Sequence, residues 1–350
     1  MVDCRLEGTF WPRCSIDNRQ STIGNEPIVN EAMYPRSSPD MMAFVFPGQG
    51  SQRVGMGRAL AERFPICRET FRQADEALGE PLSELCFAGP AERLTLTENT
   101  QPAILAVSIA AYRLLAARGV TPAYVAGHSL GEYSAHVAAG TLAFPDALRT
   151  VRVRGRYMQE AVPVGEGAMA VLLGLDAERV AQACRDAAQG DVVSAANLNA
   201  PGQIVIAGAR DAVARAGRRA RELGAKRVLP LPVSAPFHCA LMTPAERRLE
   251  PELRSLVVAD PRIPVVANVD AEVKRGGAAA LDALVRQVSA PVRWEDVVRR
   301  LASLGVRTYV EVGPGTVLSG LIRKIDPTAR VANLESSDDL PAVEALFNAA

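Results

Sequence analysis

The sequence predicts an α/β fold: a parallel sheet with a smaller unit inserted into it. Three observations carry this reading. Short apolar runs alternate with amphipathic helical stretches from Ala43 onward, a glycine-serine turn joins one such strand to a helix, and one internal region breaks the rhythm.

Ala43-Phe44-Val45-Phe46 reads as the first strand and runs into Pro47-Gly48-Gln49-Gly50-Ser51-Gln52. A long helix over 101–118 precedes a second strand, Ala123-Tyr124-Val125-Ala126, and a helix over 132–139 follows it. Later strands are expected at 263–267, 308–312 and 330–332, separated by helices such as 278–288. That order implies parallel pairing with crossover helices.

The break falls between Val164 and Ser234. There the order is strand (168–175), helix (176–188), strand (192–198), strand (203–209), helix (211–223), strand (227–233). This βαββαβ order is the split pattern of a ferredoxin-like unit, and Asn199-Ala200-Pro201-Gly202 has the chemistry of its central hairpin turn. The expected organisation is therefore a large α/β subdomain from 41–163 and 235–350, with a small subdomain at 164–234 and a cleft between them. Residues 1–40 show no sustained period and are expected to form a poorly ordered extension. Asp3, Glu7, Asp17, Glu26 and Glu31 interrupt them too often for a secretory or transit leader.

Composition narrows the class. With 350 residues, 48% of them hydrophobic, the chain can bury a sizeable core. Formal net charge is zero, which gives no overall electrostatic reason to expect nucleic acid or an anionic membrane as a partner. No apolar run approaches the length of a membrane span. Six scattered cysteines without a C-x-x-C pair argue against a metal knuckle or a disulfide framework, and for a reducing cytoplasm. The chain is expected to act as a monomer.

The most informative stretch is Gly127-His128-Ser129-Leu130-Gly131, a G-x-S-x-G pattern between a strand and a helix. A serine on such a turn is a candidate nucleophile; the plain alternative is a Gly/Ser turn without chemistry. Glycine is expected at both ends for its backbone freedom and for close strand-to-helix approach. A serine hydroxyl needs a base, and only three histidines are available. His128 would have to fold back on its own backbone, and His136 lies about 10 Å along the departing helix. His238, in Ser234-Ala235-Pro236-Phe237-His238-Cys239 where the chain re-enters the large subdomain, is the remaining candidate.

Several separated motifs, in order, resemble the malonyl-CoA:acyl carrier protein transacylases of bacterial fatty-acid synthesis. They are Phe46-Pro47-Gly48-Gln49-Gly50-Ser51-Gln52, Gly127-His128-Ser129-Leu130-Gly131-Glu132-Tyr133-Ser134, Arg154-Gly155 with Met158-Gln159-Glu160-Ala161-Val162-Pro163, Asn199-Ala200-Pro201-Gly202-Gln203, and Pro236-Phe237-His238-Cys239. The likeness runs from about Met42 to the C-terminal helix. It implies an α/β-hydrolase-like core with a ferredoxin-like insert.

The resemblance also implies a reaction: Ser129 attacks the thioester of malonyl-CoA, His238 carries the proton, and the malonyl group passes to the phosphopantetheine thiol of acyl carrier protein. It implies an oxyanion hole from the N–H groups of Leu130 and Gln49, and a two-pronged hold of Arg154 on the malonyl carboxylate. It implies that the main-chain carbonyl of Gln287 orients His238, and that Phe237 favours malonyl over branched groups. Neither a metal nor a redox cofactor enters. Unaided, spacing favours Arg154 as a solvated helix arginine and Gln287 as a surface glutamine.

Two further stretches have plain readings. Gly313-Pro314-Gly315 lacks dinucleotide-binding spacing and reads as a tight strand-to-helix turn. Arg215, Arg218, Arg219 and Arg221, with Lys226 and Arg227, read by default as a solvated helix face and, as a hypothesis, as a docking patch for an acidic carrier. The competing functions are a polyketide acyltransferase, a serine thioesterase, or a non-catalytic carrier-binding module.

Overall fold

The structure, a computed structural model, describes residues 41–233 and 235–348. The extension expected at 1–40 lies outside the described residues. Ten strands are present among the described residues: β1 (Met41–Phe46), β2 (Tyr124–Gly127), β3 (Gly167–Leu173), β4 (Val193–Ala200), β5 (Gln203–Ala209), β6 (Arg227–Pro230), β7 (Val265–Val266), β8 (Val273–Lys274), β9 (Val306–Val312) and β10 (Arg330–Leu334).

Six of them form one sheet in the order β10-β9-β1-β2-β7-β8. All its pairings are parallel except that of β7 with the short edge strand β8, which sequence patterning did not reveal. The apolar run of β1 is explained by burial on both faces. Its alternation sends Phe44 and Phe46 into a core shared with the helices Pro65–Leu78, Thr97–Ala117 and Phe144–Glu160. Ala43 and Val45 point the other way, against the helices Trp294–Ser303 and Val317–Ile325.

The remaining four strands form an antiparallel sheet in the order β4-β5-β3-β6. Ala170, Leu172, Ile204 and Ile206 on one face pack under the helices Ala177–Ala188 and Arg210–Glu222. On the other face Met169, Val205 and Ala207 join the core of the larger sheet. The turn between β4 and β5 is Pro201-Gly202, with Gly202 at φ 68°, a left-handed position that suits glycine. Edge strand β4 is stitched to the segment before Trp294 through hydrogen bonds between Leu198 N–H and Val292 O, and between Val292 N–H and Ala196 O.

One expectation is corrected. Helix Thr97–Ala117 has 21 residues and is long and apolar enough to cross a membrane, although the sequence was read as holding no such run; 78% of its apolar window is buried inside the fold, so it serves as the central core helix. The arginine cluster lies on the helix that covers the face of the small sheet opposite the pocket. Arg215 there is paired with Asp191, and Arg219 with Asp186 and Glu222.

Candidate active site

β2 ends at Gly127 and the helix Leu130–Ala138 begins three residues later, so the chain reverses within His128 and Ser129. The unusual backbone falls on Ser129 itself, at φ 52° and ψ −107°, a strained geometry costing about 1–3 kcal/mol. Gly127 and Gly131 lie outside the left-handed region, contrary to the expectation that they supply the special angles. Their role is space. A Cβ on Gly131 would stand 2.0 Å from the Phe46 carbonyl oxygen, and one on Gly127 2.0 Å from the Gly131 carbonyl.

Around this turn the structure brings together residues far apart in sequence. Ser129 Oγ lies 2.6 Å from His238 Nε2. His238 Nδ1 donates to the carbonyl oxygens of Gln287, at 3.0 Å, and Ala290, at 3.2 Å. Carbonyls only accept, so the proton sits on Nδ1 and Nε2 is left to accept from the serine hydroxyl. Burial, with the charge of Arg154 behind it, pushes the imidazole pKa down to about 3, which keeps it neutral. The other two histidines are engaged elsewhere: His128 Nε2 meets Asn199 Oδ1 at 2.9 Å, and His136 is buried with neither ring nitrogen hydrogen-bonded.

Arg154 is 1% exposed, not solvated. Its guanidinium donates to Gln101 Oε1 at 2.7 Å, to Gln287 Oε1 at 2.9 Å and to Ser129 Oγ at 3.1 Å, and lies over the Tyr133 ring at 5.4 Å. Every one of these partners is neutral, and no carboxylate of the described residues is within ion-pair distance of it. Burial therefore lowers its pKa from the usual arginine range. A buried cation with neutral partners is an environment that favours an incoming anion.

Gln287, also buried, ends the helix Gly277–Gln287 and uses side chain and backbone at once. Its Nε2 donates to the Ser129 carbonyl at 2.9 Å and to Glu132 Oε2 at 2.7 Å. Sequence reasoning missed its companion Asn268, whose Oδ1 accepts the Ser129 N–H at 2.7 Å and whose Nδ2 donates to the Gly127 carbonyl at 2.7 Å. It also missed Gln101, Ala290 and the buried Glu132. For Glu132 no local signal existed, since an acid in the first turn of a helix is common and reads as solvent-facing.

Leu130 is the first residue of its helix, where an N–H has no intrahelical acceptor. Gln49 sits opposite, in the loop whose Gly48 packs so closely on His128 that a Cβ would stand 2.4 Å from the His128 carbonyl oxygen. Both residues line a cavity of about 120 Å³ with Ser129, His238, Arg154 and Phe237. The small sheet and the segment after it contribute Met169, Asn197, Leu231 and Val233. The cavity is well below the roughly 300–1,000 Å³ of sites for drug-sized ligands, which suits a short acyl group.

The sequence profile of the acyl transferase domain matches residues 43–341. The chain belongs to the acyl transferase domain family. Among relatives in this acyl transferase family, the malonyl CoA-acyl carrier protein transacylase of Escherichia coli K12 is 52% identical over 301 residues, covering 86% of this chain and 97% of the relative. The crystal structure of an acyl carrier protein S-malonyltransferase from Vibrio cholerae superposes with a TM-score of 0.85 at 49% identity, covering 87% of this chain and all of that one. A malonyl transacylase solved in complex with its type II polyketide acyl carrier protein matches at TM-score 0.86 and 47% identity, covering 88% of this chain and all of that one.

Proposed function

We propose that this acyl transferase moves a malonyl group from malonyl-CoA to the phosphopantetheine thiol of acyl carrier protein, through a malonyl ester on Ser129, to supply fatty-acid chain elongation. The observation that carries the carboxylated substrate is Arg154: a buried guanidinium with only neutral partners, touching the nucleophile itself. In the first half-reaction Ser129 Oγ bonds to the thioester carbon while its proton passes to His238 Nε2. The N–H groups of Leu130 and Gln49 receive the negative charge on the carbonyl oxygen. Collapse breaks the carbon–sulfur bond, and the imidazolium returns the proton to the departing thiol of coenzyme A. The second half-reaction runs the same steps in reverse order with the carrier thiol as nucleophile.

Gln287 orients the base through its carbonyl, and Phe237 closes the acyl pocket beside it. Serine, imidazole and backbone N–H groups account for every step, so the proposed reaction needs neither a metal nor a redox cofactor. The proposed organisation is residues 41–163 and 235–350 carrying the elbow and base, with 164–234 as a small subdomain walling the acyl pocket. A cytoplasmic location is supported by the free, buried cysteines Cys67, Cys86, Cys184 and Cys239.

Intact mass spectrometry after mixing with malonyl-CoA tests the reading: the protein gains one malonyl group, and Ser129→Ala gains none. No adduct on the wild-type protein, with substrate unconsumed, overturns it. Likeness to the polyketide complex favours a second reading, a discrete acyltransferase for a polyketide assembly line. Initial rates with fatty-acid and polyketide carrier proteins side by side separate the two.

A further inference from the structure

Glu132 stands three residues after Ser129 and is fully buried, yet it touches no reacting atom. Its Oε2 accepts two hydrogen bonds, from Gln287 Nε2 at 2.7 Å and from the Asn268 N–H at 3.0 Å. Each donor residue in turn grips the elbow. Asn268 holds the Ser129 N–H and the Gly127 carbonyl; Gln287 holds the Ser129 carbonyl and Arg154. One carboxylate oxygen thus anchors the side-chain amide of Gln287 and the main chain of Asn268, the two residues that clamp the strained residue from its two sides.

The consequence for Gln287 is directional. An amide can present either its oxygen or its NH₂ group to a neighbour. With both N–H bonds of Nε2 directed to Glu132 Oε2 and the Ser129 carbonyl, only Oε1 remains for Arg154. Flipped, the amide would turn its donors toward a guanidinium that can only donate.

We propose that Glu132 is a positioning residue for substrate selection: by accepting from Gln287 it fixes that amide so that Arg154 is held where a carboxylated acyl group can meet it. This rests on the malonyl-transfer reading above. What matters is the acceptor, not the negative charge. Both donors converge on Oε2, whereas Oε1 has no hydrogen bond and lies 4.0 Å from the unpartnered His136 Nε2. Burial pushes the Glu132 pKa up to about 7, and a proton carried on Oε1 leaves Oε2 accepting as before. A glutamine at 132 can keep its oxygen at the Oε2 position and direct its NH₂ group toward His136.

The test measures kcat/KM for acyl-enzyme formation with malonyl-CoA and with acetyl-CoA, for wild type, Glu132→Gln, Glu132→Ala and Gln287→Met, with burst amplitude and thermal midpoint on the same samples. Glu132→Ala is expected to lower the malonyl-to-acetyl ratio by about tenfold or more per active site, and Glu132→Gln to keep it within about threefold. Loss of folded protein alone lowers the burst amplitude for both substrates and leaves the ratio unmoved. If Glu132→Ala does not fold, Gln287→Met, which keeps the main-chain carbonyl for His238, carries the test with the same expected loss. An unchanged ratio in the folded alanine or methionine variant overturns the proposal, and so does a Glu132→Gln protein that loses as much selectivity as the alanine variant. A wild-type protein that takes up no malonyl overturns the transferase reading instead.

Discussion

The elbow side of the pocket and the wall facing it are built from opposite materials. On the elbow side Ser129 is hydrogen-bonded at its N–H, its carbonyl and its hydroxyl, to Asn268, Gln287, His238 and Arg154. The wall facing it offers Met169, Leu231 and Val233, with Asn197 as its polar exception. Hydrogen bonds between buried polar groups are directional, so together they hold one geometry. Apolar walls exclude water and set shape, and they tolerate change. We propose on this basis that the larger sheet carries the chemistry and the small sheet sets the size of the acyl group. Substitutions on the two sides should therefore differ in kind as well as in magnitude.

The sharpest break is expected at His238. His238→Ala removes the imidazole that accepts the Ser129 proton, and kcat/KM for malonyl transfer should fall by about 10³–10⁴-fold or more, measured as the rate of acyl-enzyme formation. Because burial and Arg154 hold this imidazole near 3, wild-type activity should not decline through pH 6.5 as it would with an ordinary histidine base. A midpoint near 6.5 in kcat/KM would contradict the neutral, buried base. Next in size is Arg154→Ala. It should cost malonyl-CoA about 10²–10³-fold and acetyl-CoA much less, since only the malonyl group offers a carboxylate. Equal loss for both substrates would mean that this arginine only supports the elbow.

The elbow side should also be the acid-sensitive one. His136 and His238 are both held near 3 by burial, far below an unfolded value near 6.5. Between those values the unfolded chain binds more protons, so stability falls as pH falls through that window. Glu132, raised to about 7, acts in the opposite sense between 4.5 and 7, where the folded state holds the extra proton. Removing one buried histidine that makes no hydrogen bond isolates its share. His136→Leu should flatten the slope of unfolding free energy against pH by about one proton, or about 1.4 kcal/mol per pH unit between 4.5 and 5.5, read from urea titrations. An unchanged slope would show that His136 is protonated in the native state.

How far each side was legible in the sequence follows from the same contrast. Ser129 was readable because a strand, a G-x-S-x-G turn and a helix are contiguous, and His238 because elimination among three histidines needs only the local geometry of one turn and one helix. The succession of strands and helices along the small subdomain was readable from period and turn chemistry alone, down to the Pro201-Gly202 turn. Arg154 was not, since a helix arginine looks the same whether it is buried or solvated until its neighbours are known. Asn268 was hidden for a related reason: its partners Gly127 and Ser129 lie some 140 positions away, and no local pattern records such a meeting. The strained angles fell on Ser129 rather than on its glycines because the glycines were needed for space, and the two demands are indistinguishable in a pentapeptide.

The smallest effect expected is on the wall. Leu231 is half-buried and meets the acyl pocket through its side chain. Leu231→Ala removes no hydrogen bond and leaves the elbow network untouched, so malonyl transfer should fall by less than about tenfold. The space released should instead admit a branched acyl group, because one added methyl is worth about 1–3 kcal/mol in a fitted pocket. Acyl-enzyme formation with malonyl-CoA and methylmalonyl-CoA, compared as kcat/KM, should show the branched substrate gaining on the unbranched one. If Leu231→Ala costs malonyl-CoA as much as Arg154→Ala does, the wall contributes to holding the reacting geometry, and the division of labour between the two sheets fails.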